Sequence, residues 1–130
     1  MKQLQSDRRG QAMVELAIVL PILLLLIMGI IDFGRIYHGY LAVTTAAREA
    51  ARQAAIGATD AEIEETALTA AAPLSATALT VQVSPGQSSR YPGTTITVEV
   101  HYRLPVLTPI VQKMLPNPFT VTGQAVMKKE

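Results

Sequence analysis

Apolar positions along the chain change their spacing twice, and each spacing predicts a different element. Residues 16–31 form an uncharged run that carries six Leu, five Ile and one Val. From residue 32 to residue 57 the pattern becomes helical: Ile36, Tyr40, Val43, Ala47, Ala50 and Ala54 recur at spacings of three and four, which places them on one stripe. After residue 79 the period falls to two. Leu79, Val81 and Val83 alternate with Thr80, Gln82 and Ser84, and Ile96, Val98, Val100, Tyr102 and Leu104 alternate with polar neighbours. Phe119, Val121, Ala125 and Met127 suggest a third strand.

The first run is built to enter a bilayer. Its twelve branched aliphatic side chains contribute about −4 to −7 kcal/mol toward insertion. Sixteen helical residues reach only ~24 Å, short of a hydrocarbon core of about 30 Å, whereas a helix over 11–31 reaches ~31 Å. A full span therefore takes in Glu15, whose carboxylate must snorkel to the headgroups, become protonated or meet a positive partner. Lys2, Arg8 and Arg9 precede the run with only Asp7 to offset them, so the positive-inside rule places residues 1–10 in the cytoplasm and everything after Asp32 outside it. No small-x-small cleavage pattern follows the run, which argues for a retained helix. Pro21 removes a backbone donor within it and crowds the carbonyl of Ala17, so a kink is expected there, either merely tolerated or used when the helix packs in an assembly.

Beyond the bilayer, residues 32–58 read as a helical stalk and residues 59–130 as a small α+β domain. The stalk's small side chains permit close approach, against the protein's own sheet or against neighbouring subunits. Arg48, Glu49, Arg52 and Gln53 form its solvated face. Gly57 ends this helix, and Thr59-x-x-Glu62 fits a capping box for a second one over about 60–71, with Asp60, Glu62, Glu64 and Glu65 in its first turns and Pro73 beyond its end. Pro85-Gly86 and Pro92-Gly93 bracket a hairpin loop between the first two strands. Between the second and third, Thr108-Pro109 starts one helical turn expected to bury Ile110, Met114 and Leu115. The predicted fold class is α+β: a transmembrane helix over 11–31 continuing into the stalk, packed with a short helix on an antiparallel sheet of about three strands.

Charge and composition narrow the function. Eleven basic against ten acidic residues in 130 leave a net charge of +1, too little for the basic field that nucleic-acid binding needs, and the Arg90-Tyr91 and Tyr102-Arg103 pairs do not replace it. Without Cys there is neither a disulfide framework nor a thiolate metal site. No nucleophile-elbow, zinc-protease or phosphate-loop pattern occurs; His38 and His101 lie far apart, and the acids of residues 60–65 read as a capped helix start rather than a metal site. Neither catalysis nor a cofactor is expected.

One constellation remains. A basic leader, Gly10, four residues, Glu15 and then an apolar helix resemble the class III signal of type IV pilin-like proteins. The run Arg9-Gly10-Gln11-Ala12-Met13-Val14-Glu15-Leu16-Ala17 through Pro21 to Gly29-Ile30-Ile31-Asp32-Phe33-Gly34-Arg35, with Ala46-Ala47-Arg48-Glu49-Ala50-Ala51-Arg52, resembles the TadE-like family over roughly residues 9–55. That resemblance implies a minor pilin or pseudopilin of the bacterial tight-adherence (Flp) pilus machinery, sitting in the inner membrane. It also implies a prepilin peptidase that cuts between Gly10 and Gln11, with pilin-like subunits and assembly-platform proteins as further partners. Gln11 stands where many major pilins carry Phe, so nothing is implied about methylation of the new amino terminus. In physical terms, a cut after Gly10 creates an ammonium about 6 Å along the helix from Glu15, able to neutralise the carboxylate of an adjacent subunit and so to register it. The alternative reading is a permanently anchored binding module or scaffold of the envelope.

Overall fold

The computed structural model describes residues 2–72 and 74–130. Met1, Pro73 and the side chains of Lys2, Gln3, Leu4 and Ser6 lie outside the described residues, and with them the expectation that Pro73 ends the second helix. Helix α1 runs unbroken from Lys2 to Ala55, through the leader, the apolar run and the stalk. Glycine in the left-handed region stops it, Gly57 having φ 95°. Helix α2, Asp60–Ala70, opens on the predicted capping box: Glu62 N–H donates to Thr59 Oγ1 at 3.3 Å and Thr59 N–H donates to Glu62 Oε2 at 2.8 Å. Strands β1 (Leu79–Ser84) and β2 (Thr95–Leu104), helix α3 (Pro109–Met114) and strand β3 (Phe119–Lys128) complete the chain. The three strands form an antiparallel sheet in the order β1-β2-β3, pairing Val81 with Val100 and Val98 with Ala125.

The core lies between one face of this sheet and the outer half of α1. Ile96, Val98 and Val100 of β2 are fully buried with Val43, Ala46, Ala47, Ala50 and Ala54 of α1 and with Ile63 and Ala67 of α2. The stalk's small residues thus pack on the protein's own sheet and second helix, the choice that periodicity alone left open. One position of the expected stripe is different: Tyr40 is half exposed, and Gly39 takes the inward place, where a Cβ would stand 3.3 Å from the Tyr102 ring. The helix comes nearer still at Gly123, where a Cβ would fall 2.5 Å from the carbonyl carbon and oxygen of Val43. Only a residue without a side chain admits that approach. The tail closes the arrangement, with Glu130 N–H donating to Ala55 O at 3.0 Å and Lys129 pairing with Gly93 and Thr94.

A second expectation is overturned at α3. The helical turn forms where Thr108-Pro109 indicated, but Ile110 is 53% and Met114 78% exposed instead of buried, and Leu115 is only partly covered. The reason is where the turn is held: its start is tied to α1 at Asp32, at the end of the apolar run, so it stands beside that run rather than on the sheet.

Candidate assembly site on the long helix

From residue 7 to residue 55, α1 is long and apolar enough to cross a membrane, and its most apolar window buries nothing within the protein. Leu16, Ile18, Leu20, Ile22, Leu24 and Leu26 are all close to half exposed or more, the state of a helix whose solvent is lipid. Pro21 is contained in the helix without ending it.

Gly10 and Gln11 lie on consecutive helical positions at the basic end, and among the described residues nothing stands within 4 Å of where a Cβ on Gly10 would be. One turn later, Gln11 Nε2 donates to Glu15 Oε1 at 3.4 Å. Gln11 and Glu15 are thus neighbours on one helix face, as a spacing of four requires. Glu15 is exposed, and its carboxylate receives no cation from its own chain among the described residues. Chemically this is a short polar patch, one amide and one acid, at the edge of an apolar rod. It has no nucleophile paired with a base, and no group of three or more acidic or imidazole side chains converges among the described residues.

At the other end of the apolar run stands a polar clamp that the sequence reading passed over. Asp32 is buried, and its carboxylate accepts from Thr108 N–H at 2.7 Å and from Leu107 N–H at 3.1 and 3.2 Å. Arg35, one turn on, stands 3.6 Å from Asp32 and donates to Pro105 O at 3.2 Å. Burial opposes ionisation of Asp32, yet the Thr108 and Leu107 environment and the Arg35 guanidinium together hold its carboxyl below the ordinary value of 3.8. The buried Thr108 hydroxyl has no partner in hydrogen-bonding geometry, so the direct support comes from the two amides. The legible signal was an i, i+3 acid–base pair set immediately after a run without charge.

Arg90 is the other residue whose role the sequence hid. Read as one half of an aromatic-basic pair, it is instead buried, donates from Nε to Pro85 O at 3.0 Å and pairs with Asp60 at the start of α2. His101 sits on the outer face of β2, 2.9 Å from Thr122 Oγ1 and 3.4 Å from Glu99.

The family comparison falls on the rod. Residues 10–52 match the model of the family described as TadE-like protein. Over this third of the chain the protein is similar to the TadE-like family. The matched stretch begins at Gly10, holds Gln11, Glu15, Pro21, Asp32 and Arg35, and stops three residues short of the end of α1, leaving α2 and the sheet outside the match. Neither the curated proteins nor the solved structures gave a match. The stretch similar to the TadE-like family thus coincides with the membrane-capable helix and its continuation, and one long apolar helix fits a single-pass membrane protein.

Proposed function

We propose that this protein is a minor pilin or pseudopilin of a tight-adherence pilus, held in the bacterial inner membrane with its amino terminus cytoplasmic until a prepilin peptidase cuts between Gly10 and Gln11. The single observation that carries this reading is the coincidence of the TadE-like match with the rod: it starts at Gly10, five residues before the one acid of the span. The basic leader supports the orientation. Helix continues through the bond to be cut, so the peptidase must unwind it locally, and Gly10 eases that step because glycine costs a helix roughly 0.5–1 kcal/mol relative to Ala. Once freed, the Gln11 ammonium neutralises Glu15 of a neighbouring subunit and sets the register of its helix against the next. Other pilin-like subunits and the assembly platform are the expected partners, and the protein contributes structure rather than catalysis.

The test is the mass and amino-terminal residue of the protein recovered from its native host. The processed chain should begin at Gln11, and Gly10→Leu should leave the full-length form accumulating in the membrane. A wild-type chain that retains residues 1–10 in assembled material overturns the reading and favours the permanently anchored scaffold.

A further inference from the structure

The loop between β2 and β3 turns away from the sheet and runs beside the span, and among the described residues nothing covers its apolar face. We infer that residues 105–118, with α3 at their centre, form a second, half-depth membrane anchor seated in the leaflet on the side of the folded domain. The groove between α3 and the span then holds a lipid acyl chain. This rests on the reading of α1 as a membrane span. Three observations carry it.

The first is position. A groove of about 720 Å³ has Ile22, Leu26, Gly29 and Ile30 of the span on one wall and Ile110 and Val111 of α3 on the other. Ile22 lies ten residues, about 15 Å of helix, from Asp32, where the loop is tied. The groove therefore lies along the half of the span nearest the domain, continuous with the surface that lipid already covers. The second is composition. Lys113 is the one charged residue between positions 104 and 127, and it stands in the last turn of α3 beside the exposed Met114. A single lysine on an apolar turn reaches the phosphate layer while its neighbours enter the acyl region.

The third is the backbone. Irregular chain survives at membrane depth only if its polar groups find partners within the protein. Leu107 and Thr108 N–H donate to Asp32, and Val106 N–H donates to Asn117 Oδ1 at 3.2 Å. Gln112 N–H donates to Thr108 O, Leu115 N–H to Val111 O, and the Gln112 side chain to Val106 O at 2.7 Å. Pro105, Pro109, Pro116 and Pro118 have no N–H to satisfy. These pairings lower, without removing, the cost of placing the loop at membrane depth, since the start of α3 has no side-chain cap for the Ile110 and Val111 N–H groups.

The chain contains no Trp, so single tryptophans report depth without background from others. The full-length protein carrying Met114→Trp, Ile110→Trp, Leu23→Trp or Tyr91→Trp is reconstituted in phosphatidylcholine vesicles with and without bromine on the acyl chains. The probes at 114, 110 and 23 should emit to the blue and lose intensity to the brominated lipid. The probe at 91, on the remote exposed loop, should emit as in water and be quenched by acrylamide instead. Quenching at 23 but not at 110 or 114 overturns the second anchor while the span stands. Quenching at neither overturns the span and the anchor with it. A blue shift at 114 without bromine quenching, growing as protein per lipid rises, means that a second copy covers the face and likewise overturns the lipid assignment.

Discussion

Gly123 and Gly39 both face the sheet–helix contact, and the atoms around them set opposite outcomes for the same substitution. At Gly123 the obstacle is the backbone of Val43, 2.5 Å from a would-be Cβ, which only a shift of α1 or β3 relieves. Gly123→Ala should therefore destabilise the folded domain by about 1–3 kcal/mol, the ordinary cost of overpacking a filled contact. At Gly39 the obstacle is the edge of the Tyr102 ring at 3.3 Å, which rotates aside, and alanine is the better helix former. Gly39→Ala should stay within about 1 kcal/mol of wild type. Denaturant titration of the detergent-solubilised protein distinguishes the two, and equal losses would refute the contrast. Asp32 adds a pH dependence. Its folded carboxyl titrates below its ordinary 3.8, so its contribution is complete above that value and drains away as pH falls through the lower folded one. Exchange of the Leu107 and Thr108 amides should accelerate across that acid window, and Asp32→Asn should exchange fast already at neutral pH.

At the scale of elements, the connections are held by polar contacts more than by area. Helix α2 is short, and beyond its capping box it is joined to the β1–β2 loop through Asp60 and the buried Arg90. Replacing Arg90 by Met keeps most of the side-chain volume but leaves the Pro85 carbonyl without this donor. The loss should be about 1–3 kcal/mol, the penalty of an unsatisfied buried group, and should exceed that of Thr59→Ala at the cap, about 1 kcal/mol. Proteolytic susceptibility at residues 85–92 in the full-length chain is the measure, and no change in Arg90→Met would show that the pair is ornamental. These elements also show the limit of reading by period. The capping box was legible because its two members lie three residues apart, whereas Asp60 and Arg90 lie thirty apart and no local pattern joins them.

At the scale of the whole molecule, α1 serves two environments with one helix. Its first half leaves branched aliphatic side chains exposed, as a helix in lipid would, and its second half offers alanines and glycine to a sheet and a second helix. The change comes at Asp32, where the first polar clamp after the apolar run meets the folded domain. If Glu15 registers one subunit against the next, Glu15→Gln should insert into the membrane and fold as wild type yet fail to enter pili. Fractionation with quantification of sheared pili measures both, and normal incorporation would end the registration role. Gln11, at 3.4 Å, shows that Glu15 has a neutral neighbour in its own chain but no cation there among the described residues.

Local order along the chain determines much of this protein. The membrane-capable helix, the stop at Gly57, the capping box and three alternating strands each follow from residues a few positions apart, because helix and strand periods, caps and turns are short-range. The Gly10–Glu15 spacing and its TadE-like context are legible for the same reason. What the tertiary structure alone decided lies at contacts between distant segments: Gly39 rather than Tyr40 against the sheet, Gly123 against Val43, Arg90 buried against Asp60, and α3 hung from Asp32 beside the span. In each case the deciding quantity is a distance between two backbones, or a buried charge meeting amides some seventy-five residues away. Neither leaves a periodic trace in the sequence.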